Sequence, residues 1–242
     1  MSYYFDEKSA ERAVTFIERF CTHVKGELAG QPFILEDWQK IDIIRPLFGW
    51  KSEATGLRKY RTCYVEIPRK NGKSNLAAAI ALYLLFADGE PGAEIISAAG
   101  DRGQANIVFQ IAKEMISNNK HLRARAKVLR NIVEHKGSWY KSISAEAYTK
   151  HGLNCHGIIF DELHTQPNRE LYDVLTTSVG ARRQPVIMSL TTAGHDRSSI
   201  CYEMHEYSEA ILNGSIVDET FLPVLYKADA DDDWTSPETW KK

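Results

Sequence analysis

The chain has 242 residues, of which 30 are lysine or arginine and 32 are aspartate or glutamate, so its formal net charge is −2. This length suits one large α/β domain, and the balanced charge excludes a protein that coats nucleic acid through an overall positive charge, while allowing local basic patches. The four cysteines form no C-x-x-C pair, and no apolar run approaches the roughly 20 residues of a membrane helix. The sequence therefore predicts a soluble, intracellular protein with buried, reduced thiols.

The amino-terminal part of the chain predicts an amphipathic helix and a candidate adenine site. Apolar residues recur with a helical period between residues 8 and 26. Trp38 and Gln39 then precede a second apolar, helical stretch, 41–48. The Gln39 amide could bind the edge of an adenine while an apolar side chain covers its face. The spacing is equally compatible with Trp38 in the core and Gln39 on the surface.

A strand, a tight loop and a helix are predicted next. The apolar run 63–67 enters the loop, and the alanine- and leucine-rich segment 75–86 leaves it as a helix. Gly72-Lys73-Ser74 has the form in which backbone N–H groups surround a polyphosphate, the lysine reaches the β- and γ-phosphates and the serine hydroxyl binds Mg²⁺. The candidate nucleotide-binding residues here are Pro68, Arg69, Lys70, Asn71, Gly72, Lys73, Ser74 and Asn75.

This match to a phosphate-binding loop is incomplete, because Ile67 stands where the general pattern has its first glycine. An ordinary turn with an exposed lysine is the alternative. Arg69 and Lys70 add positive charge where a γ-phosphate would lie.

The middle of the chain predicts alternating elements and a basic run. A buried strand, 93–99, leads into a helix, 102–117, and this alternation indicates a parallel sheet covered on both faces. Short strands at 128–134 and 139–144 suit a β-ribbon. The basic run 120–130, which follows the helix, contains no acidic residue. It offers a phosphate-backbone contact surface for DNA, although a solvated helix end or loop is the usual explanation of such a run. Its candidate contacts are Arg123, Arg125, Lys127 and Arg130.

A second motif, 157–164, is a short apolar strand that ends in Asp161 and Glu162. In open α/β sheets such acids lie at the carboxyl edge, where ligands bind. Asp161 would hold Mg²⁺ through its water shell, and Glu162 would orient and deprotonate the water that attacks the γ-phosphate. Together with the phosphate loop, adjacent acids favour hydrolysis of a nucleotide over a simple switch.

The last third predicts a helix at 167–179 and a strand within 184–194 that ends in Thr191 and Thr192. These hydroxyls could report the nucleotide state, or they could be ordinary β-branched strand residues. Ser198 is the expected cap of a helix that runs to Leu212. A final strand is expected within 217–226, followed by an acidic tail.

With these residues together, the sequence resembles the ATPase domain of the large terminase subunit of tailed bacteriophages. The resemblance covers essentially the whole chain, and a loop without its first glycine is common in that family. It is carried by Leu35-Glu-Asp-Trp-Gln39, Ile67-Pro-Arg-Lys-Asn-Gly-Lys-Ser74, Gly152-Leu-Asn154, Ile158-Ile-Phe-Asp-Glu-Leu-His164 and Ser189-Leu-Thr-Thr-Ala-Gly194.

The resemblance implies an additional-strand P-loop NTPase fold, with a mostly parallel central sheet flanked by helices. It implies ATP and Mg²⁺ as ligands, catalytic roles for Glu162, Lys73 and Arg69, and metal ligation by Ser74 and Asp161. The segment Thr191-Thr192-Ala193 would couple hydrolysis to movement. Lys150, Arg102 or an arginine of the 123–130 cluster is the candidate for a basic residue that completes a neighbour's site, although a lysine lacks the planar fork of arginine.

The same resemblance implies double-stranded DNA, a portal protein and a small terminase subunit as partners. A ring of identical subunits would act during packaging in the host cytoplasm, with a monomer as the alternative in isolation. Residues 1–226 would be the ATPase domain and 227–242 a linker toward a nuclease domain that this chain lacks, so DNA cleavage is not expected of it.

The leading hypothesis is thus an ATP-hydrolysing motor that translocates DNA into a procapsid. A P-loop helicase or DNA-dependent ATPase of another lineage is one alternative. A nucleotide-binding assembly module with little activity alone is the other, and it is compatible with the same residues.

Overall fold

A mixed sheet of eight strands organises the molecule. The computed structural model describes residues 1–145, 152–228, 231–233 and 235–236. The strands are β3 (Thr62–Glu66), β4 (Glu94–Ala99), β5 (Lys127–Val128), β6 (Val133–His135), β7 (Ser138–Ser144), β8 (Cys155–Asp161), β9 (Val186–Thr191) and β10 (Phe221–Leu225). Their order is β10-β3-β9-β8-β4-β7-β6-β5. Strands β10 through β7 pair in parallel, and β6 and β5 add antiparallel pairs at one edge.

Helices cover both faces of this sheet. They are α1 (Glu7–Phe20), α2 (Arg45–Gly49), α3 (Lys73–Phe86), α4 (Arg102–Asn118), α5 (Lys120–Arg123), α6 (Glu170–Thr177) and α7 (Ile200–Leu212). Side chains alternate along each strand, so Cys63 and Val65 join the core beneath α1, α3 and α4, whereas Tyr64 joins the core beneath α6 and α7. The predicted fold class, a mostly parallel sheet flanked by helices, is confirmed.

Helix α3 is the central helix of the fold. Every residue from Leu76 to Leu85 is buried, which explains why its sequence is apolar on all sides. The helix begins directly after the candidate phosphate loop, so the core fixes the start of α3 relative to the sheet. All four cysteines are free and buried, as the sequence predicts.

Two helix boundaries differ from the prediction. Helix α1 ends at Phe20 because the chain turns to extended backbone at Cys21, and residues 21–33 form a loop whose backbone bonds pair His23 with Gln31. The cap of α7 is Ser199, whose hydroxyl accepts from Tyr202 N, and not Ser198. Ser198 instead hydrogen-bonds the Asp196 carboxylate within the preceding turn.

Two local features have no counterpart in the prediction. A two-stranded antiparallel sheet joins β1 (Tyr3–Phe5) to β2 (Trp50–Ser52). The segment Gln39–Ile44, expected to lead into a regular helix, is π-helical and continues into α2. None of the helices in the described part of the chain has the length and apolar character that crossing a membrane would take.

Candidate nucleotide site

The loop between β3 and α3 has the backbone geometry of an anion site. Gly72 occupies the N-cap position of α3 with φ +73°, in the left-handed region that favours glycine. No side chain of the described residues caps this helix end, so the N–H groups of its first turn can bind an anion, and the helix dipole favours negative charge there. Lys70 also has a positive φ, of 70°, which gives the loop a second sharp bend. The loop can therefore surround a phosphate without its usual first glycine.

Lys73, the first residue of α3, turns its ammonium group into the loop. Its Nζ donates to the Pro68 carbonyl at 3.2 Å and lies 3.8 Å from Glu162 Oε1. The residue is only 6% exposed. Burial holds the pKa of Lys73 below its ordinary value, although the Glu162 carboxylate opposes that shift. Phosphate oxygens would be stronger acceptors for this ammonium than the neutral carbonyl is.

Ser74 and Asp161 meet across the site. The Ser74 hydroxyl donates to Asp161 Oδ2 at 3.1 Å, which joins the start of α3 to the end of β8. Asp161 is 2% exposed, and its Oδ1 is buried with no hydrogen-bond partner among the described residues. Burial, helped by the neighbouring Glu162 charge, raises the pKa of Asp161 to about 6.

These two residues fit Mg²⁺. A carboxylate oxygen without a partner is costly in a buried position, and a hard divalent cation prefers carboxylate and hydroxyl oxygens as ligands. A cation beside Asp161 would also favour the ionised carboxylate and so offset the effect of burial on its pKa. The predicted metal ligands are therefore brought together, while their binding of Mg²⁺ stays a prediction.

Glu162 follows β8 in a constrained conformation. Its φ of 52° lies in the left-handed region, uncommon for a residue with a side chain. The surroundings fix this conformation, because Glu162 N donates to Leu190 O at 2.8 Å and Glu162 O accepts from both the N and Oγ1 of Thr165 at 2.8 Å. The turn directs the carboxylate toward the phosphate loop, with Oε1 near Lys73. A strained backbone conformation that several surrounding hydrogen bonds hold in place is typical of functional sites.

The end of β9 lies beside this turn. Thr191 and Thr192 are buried, and the Thr191 hydroxyl donates to Thr192 O at 2.8 Å. His164 contacts the Thr191 hydroxyl through its Nδ1 at 3.0 Å. Ala193 follows on the surface. The side chain of His164 thus contacts both the predicted coupling segment and Glu162.

The candidate adenine residues lie on the other side of the loop. Gln39 is buried, with its Nε2 3.8 Å from the position that a Cβ on Gly72 would take, so it is not the surface residue of the alternative interpretation. Its Oε1 accepts from Glu36 N at 3.1 Å. Trp38 is half-buried and makes an edge contact with Tyr226, with ring centroids 5.5 Å apart. Binding of adenine by these residues stays a prediction.

The remaining predicted residues are spread more widely. Arg69 is exposed in the loop, and its charge adds to burial in lowering the pKa of His164. Lys150 and the side chain of Arg102 lie outside the described residues. The basic run lies at the β5 edge of the sheet, away from the loop, with these candidate contacts all exposed: Arg123, Arg125, Lys127 and Arg130.

Sequence reasoning missed three residues that support Glu162. His164 belongs to the quoted motif but received no role. Thr165 holds the Glu162 carbonyl, and Gly100 lies against Thr165 so closely that a Cβ would be 2.2 Å from its carbonyl oxygen. A glycine directly after a buried strand was the available signal for this close approach.

A parallel sheet, a phosphate loop at a helix start and two acids at the end of a neighbouring strand define a P-loop NTPase of the α/β class. The family model for the terminase large subunit, ATPase domain, matches residues 37–210, and the chain belongs to this family.

Individual relatives agree with this assignment. The chain is 31% identical to the terminase large subunit of Enterobacteria phage HK97 over 95% of its own length and 45% of that protein. The crystal structure of the HK97 large terminase is similar with a TM-score of 0.81 at 28% identity, over 96% of this chain and 46% of that one. Protein YmfN of Escherichia coli K12 is 35% identical over 38% of this chain and 20% of its own. The chain thus spans less than half the length of these relatives.

Proposed function

We propose that this chain is the ATP-hydrolysing motor domain of a terminase large subunit, and that it moves double-stranded DNA into a procapsid in a Mg²⁺-dependent reaction. The observation that carries the proposal is the convergence of a phosphate loop, a lysine and two carboxylates at one edge of the sheet, with Lys73 3.8 Å from Glu162 and Ser74 3.1 Å from Asp161.

Binding of ATP begins at the loop. The free N–H groups of the first turn of α3 would hold the phosphates, and Lys73 would exchange its carbonyl contact with Pro68 for the β- and γ-phosphate oxygens. Ser74 and Asp161 would hold Mg²⁺, which when bound neutralises charge on the phosphate oxygens. Arg69, exposed in the same loop, would add positive charge at the γ-phosphate.

Hydrolysis needs a base beside the γ-phosphate. The Glu162 side chain is 24% exposed, so water can reach its carboxylate. It would orient the attacking water and take its proton as the O–P bond forms, while ADP leaves with the electrons of the bond that breaks. Positioning and charge account for most of the catalysis in such reactions, which suits a site whose backbone is already fixed.

Coupling to DNA would run through the end of β9. Thr191 ends β9, the strand next to β8, and Thr192 and Ala193 follow it, so a change at Glu162 would reach them through adjacent backbone. Movement of this segment would pass to α7, which begins at Ile200.

The proposed partners follow from charge and from the family. Exposed arginine and lysine side chains at the β5 edge suit the phosphate backbone of DNA, and Arg130 lines a polar groove with Lys113 and Asn106 of α4. A ring of copies, a portal protein and a small terminase subunit would complete the motor, with Lys150 or Arg102 as the residue that enters a neighbour's site. The chain would act in the host cytoplasm.

The test is steady-state ATP hydrolysis with Mg²⁺ at increasing protein concentration, with and without double-stranded DNA, for the parent and for Glu162→Gln. We expect Glu162-dependent hydrolysis whose specific activity rises with concentration, because a neighbouring arginine is worth about 10³ to 10⁵ in rate in related enzymes. Flat specific activity would place all catalytic groups in one chain. Hydrolysis that persists in Glu162→Gln would contradict the assigned base.

The DNA part of the proposal has its own test. Replacing Arg123, Arg125, Lys127 and Arg130 by glutamine should weaken DNA binding equally for all sequences and reduce its salt dependence. Unchanged binding and salt dependence would exclude this surface as the DNA contact.

A further inference from the structure

His164 lies between the candidate base and the end of β9. Its Nδ1 is 3.0 Å from Thr191 Oγ1, 3.3 Å from Glu162 Oε2 and 3.5 Å from Thr192 Oγ1. The side chain is 23% exposed and sits in the turn that follows β8. One ring nitrogen is thus within reach of both the candidate base, Glu162, and the coupling segment at the end of β9.

The hydroxyl of Thr191 bears on which nitrogen of the ring carries the proton. Thr191 has a single hydroxyl hydrogen, and Thr192 O lies 2.8 Å from its oxygen as an acceptor. The same hydroxyl oxygen accepts from the backbone N of His164 at 3.3 Å. When the hydroxyl hydrogen lies on Thr192 O, the Thr191 oxygen accepts from His164 Nδ1, and the ring is then in its Nδ1–H tautomer.

In this tautomer, Nδ1–H has three candidate acceptors, of which Thr191 Oγ1 is the nearest, Glu162 Oε2 the next and Thr192 Oγ1 the farthest. It donates to Thr191, while Glu162 Oε2 lies slightly farther away, is buried and has no hydrogen-bond partner among the described residues. A buried carboxylate oxygen gains strongly from a donor, so a small shift of the ring or of β9 would transfer the bond to Glu162. Burial lowers the pKa of His164, which is consistent with a neutral ring that has only this one proton to offer.

We propose that His164 is a positioning residue that transfers one hydrogen bond, from Nδ1–H, between Thr191 and Glu162. With the bond on Thr191, the Glu162 carboxylate is free to turn toward the attacking water and take its proton. With the bond on Glu162, Oε2 is held in its buried position, away from the water. Movement at the end of β9 would in this way control the catalytic competence of Glu162. This inference rests on the proposed function, since it assigns a partner to the base named there.

The first test does not depend on activity. The ¹⁵N resonances of the His164 ring, assigned by their loss in His164→Asn, report which nitrogen is protonated. We expect the Nδ1–H form in the parent and, in Thr191→Val, a downfield shift of that proton because Glu162 Oε2, at 3.3 Å, becomes its nearest acceptor. An Nε2–H form in the parent would overturn the proposal, whether or not the chain hydrolyses ATP.

The second test compares variants in turnover and in ATP affinity. His164→Leu, which has no donor, cannot hold Glu162, so its kcat should be at least that of the parent, with little change in ATP affinity. His164→Asn, whose amide N–H replaces Nδ1–H, should behave like the parent. A kcat that falls by about tenfold or more in His164→Leu would overturn the proposal.

A double-variant comparison completes the argument. Thr191→Val leaves the His164 bond on Glu162 and should lower kcat by about tenfold to a hundredfold. Adding His164→Leu removes that bond, so the double variant should regain the kcat of His164→Leu alone. A double variant as slow as Thr191→Val would overturn the link. Thr176→Val is the matched control, because among the described residues the Thr176 hydroxyl bonds only carbonyls of its own helix α6. If the parent had no Glu162-dependent activity, the proposed function would fail, while the ring spectra would still decide the position of the proton.

Discussion

Gly100 and Thr165 are in direct backbone contact: a Cβ at position 100 would lie 2.2 Å from the Thr165 carbonyl oxygen and 2.8 Å from its carbonyl carbon. Thr165 in turn holds the Glu162 carbonyl through two hydrogen bonds of 2.8 Å. The loop after β4 and the turn that carries the candidate base therefore pack as one unit, and a side chain between them would displace Glu162.

Gly100→Ala should consequently impair both stability and turnover. Overpacking of this kind costs about 1 to 3 kcal/mol, and the displaced turn would move Glu162 away from its water. Urea unfolding and ATP turnover are the measurements. Gly180→Ala is the control, because a Cβ there meets nothing nearer than Thr177 O at 3.8 Å. If both variants behave alike, the contact does not position the base.

Lys73→Met should abolish ATP binding without lowering stability. The variant keeps an apolar stem of similar length in a site that is only 6% exposed and removes a charge whose burial is unfavourable. Titration with a fluorescent ATP analogue measures binding, and thermal unfolding measures stability. Lys8→Met, at an exposed position of α1, should leave both unchanged. Retained affinity in Lys73→Met would refute the phosphate role.

Glu162→Gln should retain ATP binding and lose turnover by about 10²-fold or more, because an amide cannot accept the proton of water. Binding should persist, since Lys73 and the loop are untouched. The comparison is Glu114→Gln, an exposed glutamate of α4. A joint loss of binding and turnover would instead indicate a role in holding the nucleotide.

Asp161→Asn should stabilise the metal-free chain in a pH-dependent way. The folded-state pKa of Asp161, about 6, lies above the ordinary value of 3.8, so ionisation opposes folding. The free-energy cost of ionising Asp161 in the folded chain is absent below pH 3.8, its pKa in the unfolded chain. The cost grows as the pH rises from there to the folded-state pKa of about 6, and above that it reaches about 3 kcal/mol. Urea unfolding with a chelator, near about pH 4 and about pH 7.5, should give a gain only at the higher pH. An equal gain at both would contradict the assigned shift.

Asp88→Asn should destabilise the fold without affecting ATP affinity. At the amino end of the sheet, Asp88 is buried between Arg58 Nη2 at 2.5 Å and His156 Nε2 at 2.6 Å. Burial by itself would raise the pKa of Asp88, but the Arg58 charge and the His156 hydrogen bond outweigh it and lower the pKa.

Breaking one partner of such a buried pair typically costs about 3 to 5 kcal/mol. The stabilisation is present above the unfolded pKa of an aspartate and is lost as pH falls through the lower folded value. Asp173→Asn, which breaks the exposed pair with Arg169, is the control and should cost less than about 1 kcal/mol. Similar losses in both variants would show that the buried network contributes no more than a surface pair.

Much of the fold is predictable from local pattern. Two short apolar runs precede the phosphate loop and Asp161. Both are central strands of the sheet, β3 and β8, and are buried on both faces, as parallel strands are. The start of α3 follows from Gly72. Helix α1 was predicted too long because Val24 keeps the helical spacing but packs on the core from a loop.

The support of Glu162 could not be predicted, because it depends on contacts between distant segments. Nothing local indicates that Gly100 meets Thr165, or that His164 reaches the end of β9. Motifs thus identified the groups that would touch ATP, but not the residues that hold those groups in place.

The strand β5 forms one edge of the sheet and pairs with a single neighbour, β6, among the described strands. Val128 and Leu129 are each 40% exposed on this open edge, flanked by Lys127 and Arg130. Unpaired backbone beside exposed apolar side chains is a template for aggregation, and charged neighbours prevent it. Glutamine at Lys127 and Arg130 would remove this protection, so self-association of the variant could be mistaken for a loss of DNA binding. Glutamate at the same positions keeps the edge charged. Comparing the two sets of variants therefore separates self-association from lost DNA contact.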